Sequence, residues 1–269
     1  MLYYVLASSK GEEVKFLLDS GCDTSYISMA FVEKCGLRES VVPNSKEKVK
    51  FPNLSVKVLG AITMTLDFGG KSVPFTFGVM PDRSLLGLDF LHKFNCSFHL
   101  SKNPTMRFGQ EINTAELPFE ARIIMKYSCH GNDLPLELDT GSSTNFCGMP
   151  TAKRMGLELK RIKNFYLNDK PYPYNAYENT KPLTILIKNT QIEILNLRVV
   201  DLKIMNEFHA LRFGIDAMDN TFWDFEQETV TFNYQDVNEV VVPFWFKFMV
   251  DNEPNRLSTS DLIQRRNPL

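Results

Sequence analysis

The sequence predicts an all-β protein with a few short helices, built from two similar repeats that pack as lobes around a shared cleft. With 269 residues, the chain is long enough for two ordinary domains. The tripeptides Asp19-Ser20-Gly21 and Asp139-Thr140-Gly141 each follow an apolar run and lie 120 residues apart. Each is followed, about seventy residues later, by an apolar-Gly-apolar-Asp segment, at Leu86–Asp89 and Phe213–Asp216.

Comparison of the chain with itself favours a tandem duplication. At the same offset of 120 residues, Lys34–Leu37 aligns with Arg154–Leu157. The downstream glycines Gly87 and Gly214 align at an offset of 127, so the second repeat has the longer middle. The predicted domains are 1–115 for repeat one, 116–245 for repeat two and 246–269 for a C-terminal tail.

Within each repeat, alternating apolar and polar residues predict strands. The predicted strands are 62–66 and 73–79 in repeat one, and 183–187 and 192–200 in repeat two. Short helices are predicted to start near Ser28, Asp89, Met149 and Asp216. We expect Asp89 and Asp216 to cap their helices and to do no chemistry.

Composition excludes several classes of function. Net charge is −2 and the isoelectric point is about 6.1, so the chain lacks the basic field that nucleic acid or an anionic membrane attracts. Its five cysteines are odd in number and lack the spacing of a metal pair, which favours reduced thiols in the cytoplasm or nucleus. The start does not resemble a signal peptide, and no apolar stretch is long enough to span a bilayer. We expect no metal, cofactor, nucleic acid or membrane partner.

The two acidic tripeptides have a structural logic as turns at strand ends. Glycine permits a tight turn with close backbone approach, and the hydroxyl of the central residue is suited to bond across to the partner loop. The later glycines leave room beneath each turn. The predicted supporting residues of the two loops are Ser20, Gly21, Thr140, Gly141, Gly87 and Gly214.

If the repeats pack about a pseudo-twofold axis, Asp19 and Asp139 face each other. Two carboxylates about 3 Å apart repel by roughly 5 kcal/mol at an effective dielectric constant near 20. They then share one proton over a broad pH range. The ionised member can take a proton from water while the protonated member polarises a peptide carbonyl, so both aspartates are predicted to be catalytic.

Residues 15–28 resemble the active-site segment of retropepsin-like aspartic proteases, and more narrowly that of the DNA-damage-inducible-1 family. The resemblance covers residues 1 to about 120, whereas 121–235 resemble only the general retropepsin pattern. It implies a bilobal acid-protease fold made of two retropepsin-like repeats. Members of that family are usually homodimers in which each subunit gives one aspartate. The resemblance therefore implies a monomer able to form the dyad alone, with further dimerisation open. The other supporting stretches are Met1–Tyr3, Ala30–Leu37, Lys57–Gly60 and Leu85–Leu91.

The sequence also departs from that family. Family members carry a ubiquitin-like domain before the protease, whereas this sequence begins at the protease. The two flap spans, Asn44–Ser55 and Tyr166–Asn179, lack glycine and contain proline, and Arg212 stands where repeat one has Leu85. The candidate substrate-contacting flap residues are Phe51, Tyr172, Tyr174 and Tyr177. Packing within the flap is an equally good reading of the tyrosines.

Three functional hypotheses follow. The first is an aspartic endopeptidase that cleaves extended polypeptide segments. The second is a peptide-binding or scaffold module that keeps the fold and has lost turnover, which the unusual flaps favour. The third is a protease domain from a retroelement polyprotein. A thiol nucleophile is not favoured, because Cys22 has no evident histidine partner.

Overall fold

The computed structural model describes most of the chain, and strands dominate it. The alternation of buried and exposed residues along β-strands accounts for this, as in Glu12–Leu18 and Gly60–Phe68. The predicted all-β fold with few short helices is therefore confirmed. The described residues are 2–43, 48–51, 54–102, 104–111, 122–167, 170–172, 175–188, 190–201, 210–233, 235–250 and 253–257.

Repeat one is a curled sheet with two short α-helices. The seven strands of its main sheet follow the order β1-β2-β9-β3-β8-β7-β4, and Ser8 on β1 also pairs with Asp67 on β7, so the sheet closes on itself. The strands are β1 (Tyr4–Ser9), β2 (Glu12–Leu18), β3 (Tyr26–Ser28), β4 (Val42–Pro43), β5 (Lys48–Phe51), β6 (Leu54–Lys57), β7 (Gly60–Phe68), β8 (Lys71–Met80), β9 (Leu85–Leu86), β10 (Ser97–Leu100) and β11 (Thr105–Arg107). The helices are α1 (Met29–Lys34), α2 (Leu88–Lys93) and a 3-10 turn at Arg38–Ser40.

Repeat two follows the same path, with main-sheet order β15-β18-β21-β14-β22-β13-β12-β19-β20. Its strands are β12 (Arg122–Cys129), β13 (Asn132–Leu138), β14 (Asn145–Gly148), β15 (Leu159–Arg161), β16 (Tyr166–Leu167), β17 (Lys170–Pro171), β18 (Ala176–Asn179), β19 (Leu183–Ile187), β20 (Thr190–Ile194), β21 (Leu197–Val200), β22 (Leu211–Phe213), β23 (Thr221–Asp224), β24 (Thr229–Phe232), β25 (Val240–Pro243), β26 (Trp245–Val250) and β27 (Glu253–Leu257). Its helices are α3 (Met149–Arg154) and a 3-10 turn at Ile215–Ala217.

The long hairpin of repeat one is broken in repeat two. Strands β7 and β8 pair without interruption, whereas the corresponding part of repeat two forms two shorter pairs, β18 with β21 and β19 with β20. The strand predicted over 192–200 is accordingly two strands. They are separated at Leu195, which is exposed, and Asn196, whose carbonyl accepts a hydrogen bond from Asn145 Nδ2 over 3.2 Å.

The helices begin where the sequence predicts, but two of the expected caps are wrong. Ser28 caps α1, accepting from the N–H of Phe31 on its Oγ. The N-cap of α2 is Gly87 rather than Asp89. The Asp89 carboxylate accepts from the N–H and hydroxyl of Ser25, over 3.0 and 2.6 Å, and from the N–H of Phe90 in the first turn. Gly214, not Asp216, likewise precedes the 3-10 turn of repeat two.

The two repeats share one hydrophobic core. Strand β10 of repeat one pairs antiparallel with β23 of repeat two, in a sheet of order β11-β10-β23-β24-β25. Phe98 stacks on Trp223 across this junction, with ring centroids 5.2 Å apart. This sheet holds the two repeats together and so orients their acidic turns towards each other.

A strand near the C-terminus extends the main sheet of repeat two. Strand β26 pairs with β12, placing Trp245 opposite Ile124, and the Phe246 side chain is fully buried. The limit predicted at residue 246 therefore falls inside a strand. Much of the predicted boundary between the repeats, and residues 258–269, lie outside the described residues, and the domain limits stay a prediction.

Candidate active site

Asp19 and Asp139 sit at equivalent ends of strands β2 and β13. The backbone N–H of Asp19 donates to the carbonyl of Leu86 over 3.0 Å, and that of Asp139 donates to Phe213 over 2.9 Å. Each turn is then closed by its glycine. The N–H groups of Gly21 and Gly141 donate to Oδ1 of their own aspartate over 3.0 Å. These bonds orient both carboxylates in the same way relative to their strands.

The two turns are joined by reciprocal hydrogen bonds. The N–H of Ser20 donates to Oγ1 of Thr140 over 2.9 Å, and the N–H of Thr140 donates to Oγ of Ser20 over 3.0 Å. Each hydroxyl then donates to the opposite strand, Ser20 to the carbonyl of Leu138 and Thr140 to that of Leu18. Both side chains are fully buried, so all four bonds are shielded from water.

Glycine is required in both turns because each carboxylate lies against the opposite glycine. A Cβ built on Gly21 would lie 2.3 Å from Oδ1 of Asp139, and one on Gly141 would lie 2.3 Å from Cγ and Oδ1 of Asp19. Such distances are far inside van der Waals contact. The structure therefore brings Asp19 and Asp139 together across the junction of the repeats.

Gly87 and Gly214 support the turns from beneath, as the sequence predicts. A Cβ on Gly87 would lie 2.7 Å from the carbonyl oxygen of Thr24, and one on Gly214 would lie 2.5 Å from that of Thr144. The backbone N–H of Gly87 donates to Ser25 Oγ over 2.8 Å. In repeat two, Asn145 Oδ1 takes the same role towards Gly214 over 3.0 Å. Ser25 and Asn145 thus accept equivalent hydrogen bonds from the two glycines, although their side chains differ.

The electrostatic environment makes the two aspartates interdependent. Burial and, after it, the neighbouring Asp139 carboxylate together raise the pKa of Asp19 to about 7. Burial also raises the pKa of Asp139, although the Arg212 guanidinium opposes that increase. The residues Asp19 and Asp139 are 8% and 7% exposed, so both are largely buried. Such a pair titrates as a unit and holds one proton over part of the pH range.

A group of charged side chains beside Asp139 was missed by sequence reasoning. Arg212 donates from Nε and Nη2 to both oxygens of Glu137, over 3.1 and 2.9 Å, and from Nη1 to Oδ2 of Asp139 over 3.3 Å. Arg122 adds a contact of 3.4 Å to Glu137. The available signals were a glutamate within the apolar run before Asp139 and the mismatch of Arg212 with Leu85. Neither signal indicates that Glu137 and Arg212 bind each other.

Two of the predicted flap residues, Tyr172 and Tyr177, are buried or half-buried. Tyr172 is 8% exposed and packs edge-to-face on Phe165, with ring centroids 5.4 Å apart. Tyr177 is half-buried on β18, opposite Val199. These positions favour packing within the flap. Tyr174 and the side chain of Phe51 lie outside the described residues.

The described ranges contain neither a membrane-spanning helix nor a cluster of metal ligands. No helix there combines the length and apolarity that crossing a membrane requires. Within the same ranges, no group of three or more His, Cys, Asp and Glu side chains is arranged to hold a metal ion. The five cysteines are all buried and free.

The comparisons with known proteins match part of the chain. Residues 5–93 match the family model described as "gag-polyprotein putative aspartyl protease". The DNA damage-inducible protein 1 of Cryptococcus neoformans is 31% identical over 127 residues, which cover 44% of this chain and 27% of that protein. The UBA domain-containing protein Mud1 of Schizosaccharomyces pombe is 28% identical over 153 residues, covering 54% and 46%.

One solved structure matches about a third of this chain. The retroviral protease-like domain of Ddi1 from Leishmania major is 25% identical, covering 36% of this chain and 77% of that one, with a TM-score of 0.29. The matches to curated relatives span less than half of those proteins. Residues 5–93 are therefore similar to retropepsin-like aspartic proteases. The chain is also similar, over half of its length or less, to DNA damage-inducible protein 1 of Cryptococcus neoformans and to the protein DDI1 homolog 2 of Danio rerio.

Proposed function

We propose that this chain is a single-chain aspartic endopeptidase that cleaves extended polypeptide segments by a water molecule activated between Asp19 and Asp139. The observation that carries the proposal is the joining of two equivalent acidic turns by reciprocal hydrogen bonds between Ser20 and Thr140. In this proposal the second repeat supplies the aspartate that a partner subunit supplies in a homodimer. One chain is then sufficient for turnover.

The chemistry requires one protonated and one ionised aspartate. The ionised carboxylate removes a proton from the water as its oxygen attacks the peptide carbonyl carbon. The protonated carboxyl group donates to the carbonyl oxygen, so a neutral tetrahedral diol forms and the protons of the pair are exchanged. In the second step one carboxylate takes a hydroxyl proton of the diol and the other group protonates the leaving nitrogen. The pair returns to its starting state.

The proposal also covers the substrate, the cellular compartment and the absence of a cofactor. The substrate is a polypeptide, because a pair of aspartates is suited to amide hydrolysis and the chain has no basic field for nucleic acid. Five free, buried cysteines support a reducing compartment, which we propose to be the cytoplasm or nucleus. We propose that no metal or cofactor takes part.

A second candidate function is peptide binding without turnover. The contact of Arg212 Nη1 with Oδ2 of Asp139, over 3.3 Å, favours it, because an arginine can hold a carboxylate away from proton transfer. Proline-containing flap spans favour it as well, since proline restricts the closure that orders a substrate.

Turnover of an unfolded polypeptide separates the two candidates. Purified intact protein is incubated with a denatured, fluorescently labelled protein between pH 4 and 8, and cleavage is compared with that by Asp19→Asn. Cleavage by the intact protein alone supports the endopeptidase. Saturable binding of the same polypeptide by both proteins, with no new termini at any pH, supports the binding module.

A further inference from the structure

The two repeats differ in the strand residues that flank their aspartates. In repeat one, Leu17 on β2 pairs with Leu85 on β9. The equivalent pair in repeat two is Glu137 on β13 with Arg212 on β22. The register of the first strands extends the comparison, because Tyr4 opposes Leu17 as Ile124 opposes Glu137. Leu2 therefore corresponds to Arg122, and an apolar group in one repeat is a charged group in the other.

The charged group is buried and internally bonded. Glu137 has a side chain only 1% exposed and receives two bonds from Arg212 together with the contact from Arg122. A buried carboxylate is retained only when such partners compensate its desolvation. The bidentate geometry also fixes the plane of the Arg212 guanidinium. Its remaining Nη1 then meets Asp139.

The resulting field is unequal at the two aspartates. Asp139 faces Asp19, Glu137, Arg122 and Arg212, and Arg212 is in direct contact with it. Asp19 is influenced by the charges of the same two arginines without the hydrogen bond that Arg212 makes to Asp139, and it also faces Asp139 and the buried thiol of Cys22. An opposite charge within about 4–6 Å favours the ionised form of a carboxyl group.

We propose that Arg212, held by Glu137, keeps Asp139 as the ionised member of the pair and leaves the shared proton on Asp19. This inference rests on the proposed endopeptidase function and assigns its roles. Asp139 takes the proton from the attacking water, and Asp19 donates its proton to the carbonyl oxygen. Arg212 is a positioning residue, since it acts through Asp139. In a dyad of identical subunits, symmetry would leave both arrangements equal.

The chain itself provides the matched variant. Arg122→Leu/Glu137→Leu/Arg212→Leu places leucine at the three positions equivalent to Leu2, Leu17 and Leu85 of repeat one, and Asp139 is the one member of the charged group that it leaves in place. Arg212→Lys keeps the positive charge beside Asp139. Glu137→Gln/Arg212→Met is a neutral pair of similar volume, for use if the triple variant does not fold. The aspartate carboxyl carbons are followed by carbon-13 NMR from pH 2.5 to 9. Asp19→Asn and Asp139→Asn assign the two signals.

In the unmodified protein, we expect the lower apparent pKa of the pair at Asp139 and the upper one at Asp19. In the triple leucine variant and in the neutral pair, the pKa of Asp139 is expected to be higher by about one unit or more. The difference between the apparent pKa values of Asp139 and Asp19 should therefore become smaller. Arg212→Lys is expected to preserve the order. The inference is overturned if Asp19 carries the lower pKa, if the neutral variants leave the Asp139 titration unchanged, or if Arg212→Lys behaves like them.

The titration does not depend on turnover, so it separates this inference from the proposed function. If no polypeptide is cleaved but the order of titration holds, the endopeptidase fails and the assignment of the proton stands. If cleavage occurs, the acid limb of the pH–rate profile should move upwards by about one pH unit in the neutral variants. Higher activity of these variants at every pH would overturn the inference and identify Arg212 as an inhibitory contact.

Discussion

Ser20 and Thr140, which are 120 residues apart in sequence, each accept the other's backbone N–H on their side-chain hydroxyl oxygen, over 3.0 and 2.9 Å. Each hydroxyl also donates to the strand that carries the partner, so the two turns cannot separate without breaking four buried hydrogen bonds. Because the aspartates are the preceding residues, this connection determines how their carboxylates approach each other. The geometry of the site is therefore coupled to the stability of the interface between the repeats.

Thr140→Val should destabilise the protein by about 2 to 6 kcal/mol. The substitution keeps the side-chain volume but leaves the N–H of Ser20 and the carbonyl of Leu18 buried without their partner, at about 1–3 kcal/mol each. Urea unfolding followed by tryptophan fluorescence measures the change. Thr140→Ser, which keeps the hydroxyl, is the control. Equal stability of the valine and serine variants would contradict the importance of these bonds.

Gly141→Ala should destabilise the protein mainly through a clash with Asp19. The new Cβ would lie 2.3 Å from Cγ and Oδ1 of that residue, and a forced overlap of this kind costs about 1–3 kcal/mol. Asp19→Ala/Gly141→Ala should recover most of that loss, because the three nearest atoms to the new Cβ belong to the Asp19 carboxylate.

A double-mutant cycle on Asp19 and Gly141 tests this contact, with the free energy of unfolding as the measurement. We expect a coupling of at least about 1 kcal/mol, as is usual for residues in direct contact. Additive effects would mean that the carboxylate does not lie over the opposite glycine in solution.

Asp19→Asn and Asp139→Asn should each reduce turnover by at least about 1,000-fold while the protein stays folded. The members of a catalytic pair act together, so loss of either removes most of the effect. Initial rates of polypeptide cleavage and thermal unfolding curves measure the two properties. Asp133→Asn, at an exposed position on β13, is the control. Near-normal activity in either site variant would favour a homodimer that uses only one repeat.

The sequence was sufficient to locate both aspartates and their supporting residues, because a strand followed by an Asp-Ser/Thr-Gly turn is a local pattern that occurs twice. It was insufficient for the charged group of Arg122, Glu137 and Arg212. These residues come from three separate segments, and only the registers of β12 with β13 and of β13 with β22 bring them together. Nothing local indicates that a glutamate in an apolar run has arginine partners so far away in sequence.

The same limit applies to the broken hairpin of repeat two. Alternation over residues 192–200 favours one strand, and periodicity alone does not reveal that the chain leaves the sheet at Leu195. The bond from Asn145 to the carbonyl of Asn196 joins this break to the loop below Gly214. The asymmetry between the repeats is thus a tertiary property, although their similarity is visible in sequence.

Protein stability should decrease as the pH rises from about 4 to 7, owing to Asp19. Its pKa is 3.8 when unperturbed and about 7 in the folded protein, so over this range the folded state binds a proton that the unfolded state has lost. The free energy of unfolding then falls by up to about 1.4 kcal/mol per pH unit for one such group. Asp89, whose pKa burial raises to about 6, contributes in the same direction.

Urea unfolding at intervals of half a pH unit measures this slope. Asp19→Asn should be less dependent on pH than the unmodified protein, because the amide does not titrate, while the contribution of Asp89 remains in both. A slope that is the same in the two proteins would contradict the raised pKa of Asp19.

The activity of the proposed endopeptidase should be greatest at mildly acidic pH and decline through about pH 7. From sequence alone, the upper limit of activity is expected below pH 7 unless burial raises it. Burial does raise the pKa of Asp19 to about 7, so the singly protonated pair should persist almost to neutrality. Initial rates on a labelled unfolded polypeptide, measured from pH 3.5 to 9 at constant ionic strength, give the two apparent pKa values. Because ionisation of Asp19 removes the proton that the peptide carbonyl must receive, the rate above pH 7 should fall tenfold for each pH unit. A rate that continues to rise through pH 8 would exclude a shared proton as the basis of catalysis.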